Sequence, residues 1–101
     1  MQDKRLHPRV PVDTTVSCEV RGGSAAIVGL AKDISIGGMF VECTEVLPFG
    51  AEVIIVGRFP GAKADLRLPG IVRWNKPSGF GVQFGSLGAR ETHAISELLK
   101  R

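Results

Sequence analysis

The chain is poor in the residues that build disulfide scaffolds, metal sites and aromatic platforms. Its 101 residues include no tyrosine, one tryptophan, two histidines and two cysteines. Cys18 and Cys43 are too few and too isolated for a disulfide framework or a zinc site. Cys18 shares its alternating face with Val16 and Val20, which predicts a small buried hydrophobic residue rather than a redox centre.

Long apolar runs and catalytic motifs are also lacking. No stretch approaches the roughly 20 apolar residues of a membrane-spanning helix, and the N-terminus has no signal-peptide core. No G-x-S-x-G, H-E-x-x-H or phosphate-loop pattern occurs, and His7 and His93 have no metal-ligand spacing to either cysteine. We therefore expect a soluble, cytoplasmic protein that is not an enzyme and has no metal, cofactor or membrane span.

What the chain has is enough apolar material for one small domain. Hydrophobic residues make up 44% of it, and its length fits the commonest domain size of about 100–150 residues. Thirteen glycines and six prolines indicate frequent turns. The formal charge of +3 permits an anionic ligand without requiring nucleic acid, and the first ten residues carry +2 of it.

The body of the sequence has the alternation of short β-strands separated by glycine and proline turns. An apolar stripe after the last strand indicates a helix over Leu87–Lys100, with Ser86 as its N-cap. Strands followed by a terminal helix favour a mostly β fold, a six-stranded antiparallel β-barrel or a sandwich, with a C-terminal α-helix. Six segments are predicted as strands: Thr15–Val20, Ala25–Lys32, Gly38–Glu42, Glu52–Phe59, Asp65–Asn75 and Phe80–Phe84.

Residues 1–13 differ from the rest of the chain because they are polar and interrupted by Pro8 and Pro11. Proline disfavours helical geometry in the residue before it, so we expect this segment to be extended and flexible. The sequence therefore predicts a flexible N-terminal arm, 1–13, followed by a single barrel domain, 14–101.

The alternation of side chains in the last two predicted strands places their aromatic residues in the interior. Trp74 falls on the same strand face as Leu68 and Val72, and Phe80 falls on the same face as Phe84. The pattern predicts core positions for all three aromatic residues. An exposed platform for stacking nucleic-acid bases is therefore not favoured.

The arm contains the first of two short motifs with binding chemistry. Arg5 and Arg9 stand four residues apart in a segment that is not helical. The planar guanidinium fork of an arginine suits phosphate oxygens or the O6/N7 edge of guanine. Two arginines in an arm can also be solvated charges without any ligand.

The second motif joins the second and third predicted strands. The Asp33 carboxylate can accept hydrogen bonds from the N1–H and exocyclic amine of a guanine, and Ser35 adds a small donor and acceptor. Gly37 and Gly38 let a backbone approach a ligand closely. The same residues could instead form an Asx turn and a glycine bulge. The two motifs together, in this order, favour a binding site.

The order and spacing of these motifs resemble those of the PilZ domain, a bacterial receptor for cyclic di-GMP, in a short stand-alone form. Arg5-x-x-x-Arg9 followed by Asp33-x-Ser35-x-x-Gly38 is similar to the two-part signature of that family. The likeness extends over nearly the whole chain, and three further segments agree with it: Gly38-Met39-Phe40-Val41, Gly70-Ile71-Val72-Arg73-Trp74 and Gly79-Phe80-Gly81-Val82-Gln83-Phe84.

The resemblance implies a six-stranded barrel with a C-terminal helix, which agrees with the strand count. It implies that the two arginines clasp phosphates and guanine edges as the arm folds over cyclic di-GMP. The aspartate and serine would hold a guanine from the barrel surface, and an unidentified downstream protein would then bind the changed surface. The implied ligand-binding residues are Arg5, Arg9, Asp33, Ser35, Gly37 and Gly38.

Other functions stay open at this point. A PilZ-like barrel could act as a protein-interaction adaptor that does not bind nucleotide. A small β-barrel could bind single-stranded nucleic acid, although the aromatic residues that would stack on bases are predicted to face the interior. One cyclic di-GMP molecule or a stacked pair would fit the same motifs.

Overall fold

A computed structural model describes residues 9–23, 26–45 and 47–100 of the chain. Within these ranges it contains six β-strands followed by one helix, α1, over Ala89–Leu99. The number of elements, their order and the mostly β character agree with the prediction. The strands are β1 Val10–Val20, β2 Ile27–Ile34, β3 Gly38–Glu42, β4 Glu52–Gly57, β5 Leu66–Lys76 and β6 Gly79–Phe84.

Each of the described strands has two antiparallel neighbours, in the order β1-β2-β3-β6-β5-β4, and the sheet closes on itself. Strand β1 closes it, because residues 17–20 pair with residues 53–56 of β4 while β1 also pairs with β2 along its length. The predicted six-stranded antiparallel barrel is therefore confirmed. Closure gives each described strand a hydrogen-bonded neighbour on both sides.

Alternate side chains of the strands fill the barrel, and helix α1 adds Ile95 and Leu98 to the same core. Cys18 is fully buried, as predicted for a small hydrophobic residue. The interior positions predicted for Phe80 and Phe84 are also confirmed. The largest fully buried side chains are Phe59, Phe80, Ile34, Met39, Ile55, Leu68 and Ile95.

Strand β1 begins at Val10, so the predicted beginning at Thr15 was wrong. Pro11 pairs with Asp33 of β2, so β1 already runs beside β2 at this position. The register is irregular just beyond this pair, where Asp13 adopts a left-handed φ of 46° that aspartate tolerates better than most residues. The irregularity interrupts the alternation, which is why the pattern placed the start of the strand too late.

The prediction of a buried Trp74 was wrong because β5 contains a register shift. Val72 pairs with Val82 of β6, but the register changes before Trp74 pairs with Gly81. The extra residue reverses the alternation of the strand. Arg73 and Trp74 are consequently both exposed, the tryptophan to 42%.

Helix α1 is shorter than the predicted segment and begins differently. Its N-cap is Gly88, which is extended, with φ of −73° and ψ of 170°, and no side chain caps the first turn. Ser86 lies before this cap, so its assignment as the N-cap was wrong. Glu91 in the first turn supplies the negative charge that is favourable near a helix N-terminus.

Candidate functional site

The start of β1 brings Arg9 against Asp33 of β2. Val10 pairs with Ile34 and Pro11 with Asp33, so the residue that precedes β1 lies beside the end of β2. Arg9 Nη1 donates to Asp33 Oδ1 at 2.5 Å. The two side chains are 23% and 35% exposed, less than the members of the other ion pairs in the described ranges. Water therefore screens this ion pair less than those.

Two of the predicted site residues, Arg9 and Asp33, are thus in direct contact although they are 24 positions apart in the sequence. Arg5, the other arginine of the predicted clasp, lies outside the described residues together with the rest of residues 1–8. Its role stays a prediction, as does the division of the chain into an arm and a barrel domain.

Ser35 shapes the turn between β2 and β3. Strand β2 continues to Ile34, and the buried Ser35 then donates its backbone N–H to the Gly38 carbonyl at 2.8 Å. Its Oγ accepts the N–H of Gly37 at 3.2 Å and lies 3.4 Å from the Gly38 carbonyl oxygen. The hydroxyl is therefore hydrogen-bonded within the turn, in keeping with the turn-forming alternative. A direct contact between Ser35 and a ligand stays a prediction.

The two glycines of the second motif have separate structural roles. A Cβ on Gly38 would lie 2.1 Å from the carbonyl oxygen of Val82, so β3 and β6 leave no room for a side chain there. The carbonyl of Gly37 accepts the N–H of Phe84 at 2.8 Å, which ties the turn to the end of β6. Packing alone requires Gly38, and a ligand contact at either glycine stays a prediction.

An aromatic pair continues the outer face of the barrel from Asp33 towards β5. Asp33 pairs with Phe40 of β3, and Phe40 pairs with Gly81 of β6. Gly81 pairs in turn with Trp74 of β5. The rings of Phe40 and Trp74 are stacked, with centroids 5.3 Å apart and an interplanar angle of 11°. Because directly paired residues lie on the same face of a sheet, the ion pair and the aromatic pair occupy one continuous surface.

Lys76 and Gly81 hold the aromatic pair in place. Lys76 Nζ lies 5.0 Å from the ring centroid of Phe40 and 5.6 Å from that of Trp74, within cation–π range. A Cβ on Gly81 would lie 2.1 Å from Trp74 Cε2, so the indole rests directly on the backbone of β6. We refer to Arg9, Asp33, Phe40, Trp74 and Lys76 as the outer strip.

Sequence reasoning missed the aromatic half of the outer strip. Phe40 stands between Met39 and Val41, and three consecutive apolar residues of one strand cannot all point inward. That rule could have indicated an exposed phenylalanine. No comparable signal exists for Trp74, since the register shift in β5 leaves no mark on the sequence.

Positive charge exceeds negative charge around the outer strip. Arg73 Nε donates to Gln83 Oε1 at 2.8 Å, and neither Arg73 nor Lys76 forms an ion pair with another described residue. Lys32 donates to Asp13 at 2.9 Å, and this hydrogen bond and the charge of Asp13 raise the pKa of Lys32. The surplus of cations suits an anionic ligand.

The described residues contain no group of three or more His, Cys, Asp or Glu side chains that could hold a metal ion. His93 is exposed on α1, and Cys18 and Cys43 are free thiols. Burial raises the pKa of the Cys18 thiol to about 12, with smaller contributions from Cys43 and Glu19, so this thiol is a poor nucleophile. No helix in the described ranges has the length and apolar character of a membrane span.

A cavity of about 650 Å³ lies against β1, β4 and β5, away from these residues. Its lining includes the apolar Ile54 and Ile71, but none of the predicted site residues. The arginine that lines it, Arg21, is paired with Glu52 at 2.8 Å. The cavity therefore offers no free cation for an anionic ligand, and the outer strip is the stronger candidate site.

A comparison with protein-family models matches the chain over residues 3–101 to the model described as the PilZ domain. A comparison with curated proteins finds no match. Among solved structures, the chain is similar to the PilZ domain of CeSA from a cellulose synthesizing bacterium. The identity is 20% and the TM-score 0.74, with 90% of this chain and 93% of that chain covered.

Two longer proteins have a similar fold. The Bacillus subtilis inhibitor of motility MotI/DgrA is 21% identical with a TM-score of 0.73, covering 99% of this chain and 54% of that one. MrkH of K. pneumonia, solved as a complex with c-di-GMP, is 16% identical with a TM-score of 0.73. The match covers 98% of this chain and 52% of that one. The chain thus spans about half the length of these two proteins, and such low identities indicate a shared fold.

Proposed function

The chain belongs to the PilZ domain family, and from this membership we propose that it is a non-enzymatic, cytoplasmic receptor for cyclic di-GMP that signals through a partner protein. The outer strip is the observation on which the proposal rests, because it combines an arginine–carboxylate pair with a stacked aromatic pair. Cyclic di-GMP has two phosphates and two guanines. It therefore needs cationic donors, an acceptor that recognises guanine and a surface for stacking.

The proposed binding step is an exchange of partners. Without ligand, Arg9 and Asp33 neutralise each other. With ligand, we expect the Asp33 carboxylate to accept the N1–H and amine of a guanine while the Arg9 guanidinium turns to a phosphate. Neither charge is left unpaired in either state, which avoids the cost of a lone half-buried charge. We expect Ser35, Gly37 and Gly38 to hold the turn that presents the carboxylate.

Phe40 and Trp74 add a stacking surface to this exchange. Stacking of a base on an aromatic side chain contributes about 1–3 kcal/mol. Lys76 and Arg73 lie on the same strand as Trp74 and can approach a phosphate of the stacked nucleotide. One cyclic di-GMP molecule or a stacked pair would fit such a surface.

The N-terminal arm supplies the clasp of the proposed mechanism. Arg5 precedes Arg9 by four residues, so its backbone lies within about 14 Å of Arg9 even when fully extended. We propose that the arm closes over a ligand held at Asp33, and that Arg5 then binds a phosphate. The ordered arm and the barrel together would form the surface that a downstream protein recognises.

Calorimetric titration of cyclic di-GMP into the wild-type chain, Arg9→Ala and Asp33→Ala tests the receptor proposal. Each variant removes one charge-assisted partner, so we expect a loss of about 1.5–3 kcal/mol, or roughly 10- to 150-fold in affinity. Arg67→Ala is the matched control, because it removes an exposed arginine that pairs with Glu19 outside the outer strip. Equal affinities in all four proteins, or no heat with the wild type, would contradict the proposal.

Hydrogen exchange tests the clasp separately from binding. If the arm closes over cyclic di-GMP, the non-proline amides that precede β1, those of residues 4–7 and 9, gain protection when the ligand is added. Unchanged exchange in that segment, together with normal binding, would remove the clasp and leave the receptor function standing.

One observation favours a second candidate function, the binding of single-stranded nucleic acid. Trp74 is exposed and stacked on Phe40 beneath Lys76, which is an arrangement that can hold a base. A fluorescein-labelled oligouridylate distinguishes the two functions. Tight, salt-dependent binding that cyclic di-GMP does not displace would favour nucleic acid, whereas displacement by cyclic di-GMP favours the receptor.

A further inference from the structure

A second cleft, of about 440 Å³, lies between the loop that joins β4 to β5 and helix α1. Phe59, Leu66 and Leu98 line it and are buried to 2%, 3% and 5% exposure, so they form an apolar floor. Ala62 on the loop and Ala94 on the helix also line it, and their small side chains leave the space above the floor open. No residue of the outer strip takes part.

The rim of this cleft is cationic. Lys63 on the loop and Arg90 on α1 line the cleft and are exposed. The carboxylate of the rim, Glu97, accepts a hydrogen bond from Lys100 Nζ at 3.4 Å. Within the described ranges, Lys63 and Arg90 form no ion pair. The cleft therefore combines an apolar floor with a surplus of positive charge.

We propose that this cleft binds an acidic peptide segment of a partner protein. One apolar side chain of the peptide lies over the floor, and its carboxylates pair with Lys63 and Arg90. A peptide fits better than a small anion because the rim cations are exposed, and a single exposed ion pair contributes little to affinity. A segment with several carboxylates makes several such contacts and also buries an apolar side chain.

A labelled peptide tests this inference on the full chain without any nucleotide, so its result does not depend on cyclic di-GMP binding. The probe is a fluorescein-labelled peptide of sequence EELFEE, titrated by fluorescence anisotropy. The comparison peptides are KKLFKK, with the opposite charge, and EEGGEE, without the apolar centre. We expect saturable binding of EELFEE alone. Equal binding of all three peptides, or no binding of EELFEE, would overturn the proposal.

Variants then locate the binding. Lys63→Glu and Arg90→Glu should each weaken EELFEE binding by about 5-fold or more. Ala94→Phe should abolish it by filling the cleft, with retention of the fold checked by circular dichroism. Arg21→Glu makes the same charge change in the β1–β2 turn, away from the cleft, and should leave affinity unchanged. A loss with Arg21→Glu as large as that with Lys63→Glu, or unchanged affinity in Ala94→Phe, would overturn the assignment.

Discussion

Arg9 and Asp33 form an ion pair whose geometry is set by the pairing of β1 with β2 rather than by any local contact. Arg9 immediately precedes β1, and Asp33 lies opposite Pro11, so the guanidinium and the carboxylate meet when the two strands pair. The two charges of the proposed site are thus assembled by the fold. They are also neutralised before any ligand is present.

The first prediction concerns the strength of this pair. A double-mutant cycle of Arg9→Ala and Asp33→Ala, measured by urea unfolding, should give a coupling free energy of about 1 kcal/mol. The coupling should shrink in about 1 M NaCl, where charges are screened within about 3 Å. The same cycle on the more exposed pair of Glu19 and Arg67 should give a smaller value. A coupling at Arg9 and Asp33 no larger than at this control pair would contradict the prediction.

The second prediction separates packing from ligand contact at Gly38. Gly38→Ala should lower the free energy of unfolding by about 1–3 kcal/mol, because the new Cβ would meet the Val82 carbonyl oxygen at 2.1 Å. Gly85→Ala is the control, since the nearest atom to its Cβ would be 3.9 Å away. Urea unfolding measures the free energy of unfolding of both variants. Equal stability of the two would show that β3 and β6 can separate without cost.

The third prediction concerns Trp74 and rests on the proposed receptor function. Trp74→Ala should weaken cyclic di-GMP binding by about 5- to 150-fold, the equivalent of one base–aromatic stack. Phe49→Ala removes another exposed aromatic ring, 69% exposed, in the loop before β4 and should leave affinity unchanged. Calorimetry measures both. Wild-type affinity in Trp74→Ala would exclude the aromatic pair from the binding surface.

The fourth prediction concerns the pH dependence of stability. The pKa of the buried Cys18 thiol is about 12, against an ordinary value of 9.0, so folding favours the protonated thiol. The stability that the protonated thiol contributes is complete below pH 9.0, the ordinary pKa. It is lost as the pH rises towards about 12, the pKa in the folded protein, because the unfolded chain loses the proton first. Urea unfolding between pH about 8 and 11 should show a steeper decline in the wild type than in Cys18→Ala.

Cys43→Ala is the matched control for this measurement. Cys43 is partly exposed, and no helix or strand contains it, so its removal should leave most of the decline in place. A decline in Cys18→Ala that equals the decline in the wild type would show that the buried thiol does not titrate with folding.

Most of the fold was predictable because the strands alternate cleanly between turns rich in glycine and proline. Strand β3 was predicted with its observed bounds, Gly38–Glu42. Two of the three failures, the start of β1 and the burial of Trp74, occur where the register shifts, near Asp13 and before Trp74, and the third is the N-cap of α1. A register shift changes which face a side chain occupies without changing the residue types around it.

The sequence motifs indicated two charged residues of the proposed site, but they indicated neither its aromatic residues nor its arrangement. The motifs indicated Arg9 and Asp33 as separate donors and acceptors, yet their contact depends on strand pairing across 24 positions. The family resemblance implies a ligand contact for Ser35, and the structure shows its hydroxyl hydrogen-bonded within the turn, so that contact stays a prediction. Local sequence gives the chemistry of a side chain, and only the register gives its neighbours.

The position of Trp74 also determines what the optical spectrum of this protein can report. The chain has no other tryptophan and no tyrosine, so one indole supplies all of the fluorescence excited at the red edge of the near-ultraviolet band. That indole lies on the outer surface, stacked on Phe40 and close to the ammonium of Lys76. The emission excited there is therefore a signal from a single surface patch, and the buried phenylalanines of the barrel do not contribute to it.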